Sequence, residues 1–198
     1  MAVQNNQIAV PVGLQDIYYA KLIKDDATGV EYDTPKMLLP AITANLTPTV
    51  NSATLFGNDG PIVTANALGE ITLEIGVANI TLETQADLLG STLNADGLLI
   101  DNSDDQAPEV ALGFRRSMSD GSFVYTWLLK GKFQLPTEEA QTKQGEPSFQ
   151  TPTITGVFLK RLFDGHWRFR ADSNNPASAA LIASWFTAVP SADAVPNP

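Results

Sequence analysis

The 198 residues contain no cysteine, which excludes disulfides and thiolate metal sites and suits a reducing interior. There is one histidine, His166, placed after a turn and before Trp167, the setting of a strand-end residue more than of a general base. Bases are scarce: twelve Lys and Arg stand against twenty-two Asp and Glu, a net charge of −10. Affinity for nucleic-acid phosphates in general comes from basic patches, so this balance argues against it; plain solubility is the simplest use of such a charge. No apolar run approaches the roughly 18 residues of a membrane span. The amino terminus, MAVQNNQIAV, lacks the basic region and apolar run of a signal peptide, which points to synthesis in the cytoplasm. Also missing are a Gly-rich phosphate loop, a nucleophile elbow and a zinc-protease helix. The chain is therefore expected not to be an enzyme, with no catalytic residue, cofactor or metal ligand assigned, although the members of a Ser-His-Asp arrangement meet only in space. A calcium loop is expected to be absent too. Asp101, Ser103 and Asp105 have the alternating spacing, but Gln106 stands where the loop needs Gly and Leu112 where it needs Glu.

What is present is organised around residues 68–90, LGEITLEIGVANITLETQADLLG, where a strand runs directly into a short helix. Ile71, Leu73, Ile75 and Val77 alternate with Glu70, Thr72, Glu74 and Gly76, the pattern of a half-buried strand. The period then changes: Leu82, Ala86 and Leu89 share one side of a helix, with Leu88 beside them. Thr81 is placed to cap it, Glu83 lies where the helix dipole favours an anion, and Gly90 supplies a left-handed stop. A helix this short is not stable alone in water, so packing against the sheet must hold it.

The remaining chain divides into an N-terminal arm (1–12), one domain (13–190) with long loops at 51–61 and 135–149, and a disordered tail (191–198). Residues 15–24 alternate with apolar groups on both faces, as in a strand covered on both sides. A turn at 25–29 leads to a short return strand ended by Pro35. Residues 42–50 form another strand, which Pro48 confines to an edge. The connection 51–61 is longer than usual and carries Leu55 and Phe56; such loops either contact a partner or fold back on their own domain. The second half is strongly β. Residues 109–117 and 122–134 meet across Ser119-Asp120-Gly121 as a hairpin, with Phe123, Tyr125, Trp127, Leu129 and Phe133 on one face, either core or a stacking platform. A strand at 150–163 joins through Asp164-Gly165 to a strand at 166–171, with Trp167 and Phe169 facing in. Asn175 and Pro176 then open a C-terminal helix whose apolar side is Leu181, Ile182, Trp185 and Phe186.

In this order the elements resemble a known family. EITLEIGVANITLETQADLLG, an acidic loop, APEVALGFRRSMSDGSFVYTWLLKGKFQLPTEEAQTK and then TITGVFLKRLFDGHW are similar to the major tail tube proteins of long-tailed phages with non-contractile tails, and more narrowly to the phi13-type major tail protein family. The resemblance spans residues 13–186. It implies a mainly β fold of two packed antiparallel sheets, a β-sandwich or half-barrel, with a flanking helix. It also implies six copies closing into a ring, rings stacking into a tube within the virion tail, and passage of DNA and a tape-measure protein without sequence-specific binding. Tail initiator and terminator proteins are the further partners implied, and no membrane. An acidic wall repels phosphates within a Debye length of about 8 Å. Glu70 and Glu74 are the candidates for that lining, with bulk solvent as the other possibility; Leu55 and Phe56 are the candidate inter-subunit contacts. Two rivals remain: another β-rich virion ring such as a tail-completion or baseplate component, and a carbohydrate-binding β-sandwich stacking sugars on Trp127, Trp167 or Trp185.

Overall fold

The protein is described here by a computed structural model over residues 9–38, 41–136 and 151–191. Its strands are β1 (Pro11–Asp26), β2 (Gly29–Tyr32), β3 (Lys36–Met37), β4 (Ala41–Gly57), β5 (Gly60–Val77), β6 (Thr92–Leu93), β7 (Leu99–Ile100), β8 (Val110–Met118), β9 (Phe123–Phe133), β10 (Thr153–Leu159) and β11 (Arg168–Asp172). Helix α1 (Leu82–Leu89) follows β5, and α2 (Ala179–Ala183) follows a single 3-10 turn near the C-terminus. The fold is mainly β: a large antiparallel sheet ordered β2-β1-β8-β9-β10-β5-β4, a small β6-β7 sheet, one flanking helix and one short C-terminal helix. Pro11 and Val12, placed in the arm by sequence, begin β1, while residues 1–8 of that arm, 137–149 of the second loop and 192–198 of the tail lie outside the described residues.

Around the strand-to-helix stretch, local chemistry decides local structure. Ile71, Leu73, Ile75 and Val77 are fully buried. Thr81 Oγ1 accepts from the Thr84 N–H at 3.2 Å, and Gly90 closes the helix at φ 82°, donating its N–H to the Ala86 carbonyl. The packed side of α1 differs from the expected one: Thr84 and Leu88 are buried, and Leu82 is exposed. The reason is non-local. Asp87 accepts hydrogen bonds from Lys21 Nζ (2.7 Å), Lys36 Nζ (2.5 Å) and Tyr19 Oη (3.0 Å), and this clamp turns the helix about its axis until the neighbouring Leu88 enters the core. Burial opposes ionisation of Asp87, but those three donors outweigh it and hold its carboxyl at about 2.

The large sheet curls so that β1 comes beside β4. Inside the curl lies one apolar cluster that includes Ile17, Tyr19, Leu73, Leu112, Phe114, Leu128, Phe133 and Phe158, with Ala44 and Leu46 of β4 against it. A second cluster, on the other face of β1, β8, β9 and β11, holds Ala20, Ala111, Tyr125, Trp127, Leu129 and Ala171. The C-terminal helix and the turn after it seal it: Leu181 and Ile182 pack against it, Trp185 is buried, and the Trp185 carbonyl accepts from Trp127 Nε1 at 2.9 Å. Residues 110–114 of β8 are buried on both faces because both clusters meet there.

One aromatic departs from the expected stripe. Val110 pairs with Gly131 and Leu112 with Leu128, so β9 carries one more residue than β8 over this span. That bulge reverses the facing of everything beyond it, and Phe133 joins the first cluster instead of Trp127 in the second.

Candidate assembly surface

Residues 51–61 are not a loop. β4 and β5 run as one continuous hairpin, paired from Ala41↔Val77 to Gly57↔Gly60, and turn at Asn58 and Asp59 with φ of 49° and 62°. Two consecutive positive φ values are what a mirror-image two-residue hairpin turn needs, and Asn and Asp tolerate them best among non-glycine residues. The signal was present as Asn-Asp set between Gly57 and Gly60. Pro48 does sit on an edge strand, as expected, because β4 ends the sheet.

The hairpin outgrows the body that supports it. β10 pairs with β5 only from Gly76 to Ile71, so among the described residues β5 has β4 alone as its neighbour from Leu68 to the turn. Residues 50–68 therefore form a two-stranded ribbon with two open backbone edges and two exposed faces. Leu55 is 65% and Phe56 69% exposed. Being consecutive, they take opposite faces: Leu55 stands with Val63, while Phe56 stands with Pro61. The Phe56 face continues toward the base through Thr54 and Thr64, whose hydroxyls lie 3.2 Å apart, and through Ser52 Oγ, which donates to Asn66 Oδ1 at 2.7 Å. The Leu55 face continues through Ala53, Ala65 and Ala67. Asp59 at the tip is the one charged residue of the ribbon.

Such a ribbon is poorly matched to water. A lone two-stranded hairpin is marginal at best, and protruding edges are normally blunted with Lys, other charges or proline. Here the edges carry small uncharged residues and large apolar ones; Val50, Ile62 and Val63 are each more than half exposed.

Glu70 and Glu74 stand at the base of the ribbon, both exposed and without an ion-pair partner among the described residues. Glu74 pairs with Asn45 of β4 and Thr155 of β10, on the face opposite the first cluster, where Thr47 and Thr72 also lie. Glu70 falls in a bulge between the Val50↔Leu68 and Pro48↔Ile71 pairs. The two carboxylates share a strand about 13 Å apart along its length, well removed from Leu55 and Phe56 at the other end.

His166 has a structural setting. Its Nδ1 lies 2.8 Å from Asp164 Oδ2, and the same carboxylate receives the guanidinium of Arg161. Arg161 is buried to 1% exposure, and its Nη1 also donates to Tyr32 Oη, whose own O–H donates to the Leu129 carbonyl at 2.8 Å. Burial pushes the Tyr32 phenol up to about 12 despite that guanidinium. This latch fastens the β10–β11 turn to β2; sequence reading placed Arg161 in a strand and missed its burial. Among the described residues no group of three or more His, Cys, Asp or Glu is placed to hold a metal, and no helix is long and apolar enough to cross a membrane. Trp127 and Trp185 are buried, and Trp167 is half-buried with the Arg168 guanidinium 4.1 Å over its ring. No protein family model matches this chain, and no curated protein matches it significantly.

Proposed function

We propose that this chain is a structural virion protein, the subunit of a non-contractile phage tail tube that polymerises as stacked hexameric rings and conducts DNA during infection. The observation that carries the reading is the ribbon of residues 50–68, which the described residues of a single copy leave with open edges and exposed Leu55, Val63 and Phe56. Groups of this kind are satisfied by another chain, through strand addition along the edges and apolar packing on the faces. The six-fold ring, the tape-measure protein in the channel and the initiator and terminator partners come from the family resemblance alone. On this reading Leu55 and Phe56 contact neighbouring copies, and Glu70 and Glu74 line the channel on a polar face rich in Thr and Asn.

The test is electron microscopy of the purified protein across a concentration series, with its mass in solution measured alongside. Hollow six-fold rings or tubes are expected from the native chain and lost in Leu55→Asp with Phe56→Asp. Tubes that persist in that double variant would remove the ribbon tip from the assembly contacts.

A further inference from the structure

The net charge is unevenly spread. From Met37 to Phe114 there are ten Asp and Glu and no Lys, Arg or His, so this stretch carries the whole −10 while the other 120 residues balance. Within it, Asp96 in the β6–β7 turn, beside a 59% exposed Leu98, and Asp101 and Asp104 in the segment after β7 are all exposed, and none of the three reaches a base within ion-pair distance among the described residues.

The balanced part concentrates its own surplus at one place. Arg168 and Arg170 stand opposite Leu128 and Thr126 of β9, and Arg116 opposite Val124, so the three side chains share one face of the β8-β9-β11 end of the sheet. By strand spacing Arg168 and Arg170 stand about 7 Å apart, with Arg116 across β9 about 12 Å from Arg170 and about 16 Å from Arg168. None has a carboxylate within ion-pair distance among the described residues, and Arg116 Nε is buried without an acceptor. Asp172, at the end of the same row, accepts instead from the Asn174 N–H at 2.8 Å. Arg115, next in sequence, shows the contrast: it lies on the opposite face and is neutralised by Asp16 at 2.5 Å. Burial, and then the like charges of Arg170 and Arg116, lower the pKa of Arg168, so the field at this face is positive in an acidic protein. Among the described residues β11 pairs only with β9, which leaves the arginine face at an open edge.

We propose that the Arg116–Arg168–Arg170 face of one copy docks the Asp96–Asp101–Asp104 loop of the next. The two surfaces do not pair with each other among the described residues of one copy, and because they differ, the contact is head-to-tail, the kind that builds rings or stacks and not closed two-fold dimers. This rests on the self-assembly reading above and adds a second, charge-driven contact to the apolar ribbon. The two are separable by salt, since a charge contact weakens as the Debye length shrinks and apolar burial does not.

The experiment is a charge exchange, followed by sedimentation velocity from about 50 to about 500 mM NaCl. One variant carries Arg116→Glu, Arg168→Glu and Arg170→Glu; the other carries Asp96→Lys, Asp101→Lys and Asp104→Lys. Each alone is expected to lose at least about tenfold in association at low salt, and an equal mixture is expected to recover it, because every junction is again between opposite charges. Recovery on mixing also shows that both variants are folded. Variants that associate like the native chain, or a mixture that stays apart, overturn the contact while leaving the ribbon reading in place. A native chain that stays monomeric at every concentration and salt overturns both. Retention of a short DNA duplex that the arginine variant loses, with self-association unchanged, assigns the face to nucleic acid and overturns the proposal as well.

Discussion

Residues 71–77 and 61–68 belong to the same strand, β5, and are paired to the same partner, β4, yet they live in different surroundings. In the first segment Ile71, Leu73, Ile75 and Val77 have no exposed surface; in the second Ile62, Val63 and Leu68 are 43 to 62% exposed. Both segments are paired to β4, on either side of the bulge at Glu70, so possession of a partner strand cannot be what separates them. The difference is a second layer: the first segment has β10 beside it and a cluster beneath it, and the second has neither. Apolar residues in the body contribute to stability within one copy, whereas those of the ribbon contribute only once something covers them. Charge follows the same division. Carboxylates at the body's packed seams are tied into clamps, Asp87 with Lys21 and Lys36, and Asp25 with Lys130 at 2.8 Å and the backbone of Leu162 and Phe163, while the ribbon has only Asp59.

The sharpest way to break this contrast is a pair of truncations on one strand. Leu73→Ala is expected to cost about 3 kcal/mol in urea unfolding of the single copy, and Val63→Ala no more than about 0.5 kcal/mol. Equal losses would mean that the ribbon is already packed by its own chain. Next comes hydrogen exchange: amides of 50–68 in the free chain should exchange readily, then gain about a hundredfold in protection on assembly, with those of 71–77 protected in both states. Comparable protection of the ribbon before and after assembly would sink its role.

A third measurement concerns the clamp on α1. The Asp87 carboxyl is held at about 2 in the fold against an ordinary 3.8, so its contribution is complete above about pH 4 and is lost as the pH falls toward 2. By that difference Asp87→Asn removes about 2 kcal/mol at neutral pH and flattens acid unfolding in this window. An unchanged acid limb would show that the clamp is dispensable. The smallest effect is expected at Glu74. Glu74→Lys leaves stability within about 0.5 kcal/mol and tubes intact, but those tubes should retain a short DNA duplex at low salt; no retention would return this residue to bulk solvent.

Where information was local, the sequence was sufficient. The change of period at Ala78, the Thr81 cap and the Gly90 stop each depend on neighbours within a turn, and all three are found. The face that α1 presents depends on Lys21, Lys36 and Tyr19, dozens of residues away, and no helical wheel contains them. Burial of Arg161 was likewise hidden, since arginine is seldom fully buried unless paired, although Asp164 three residues on was a local hint. At the candidate assembly surface the exposure of Leu55 and Phe56 was legible from their surroundings. Their support was not, because Pro48 and a run of small residues conceal the alternation of a strand, and the turn at 58–59 reads in sequence as part of a longer connection.

The extra residue between Leu128 and Gly131 has a wider meaning. It changes the parity of β9, so one strand supplies Trp127 to one core and Phe133 to the other, and the two cores share a single backbone. The length of β9 is thus fixed as firmly as any side chain in it: removing a single residue at this point would exchange the inner and outer halves of everything downstream, a heavier blow than any one substitution the strand could suffer.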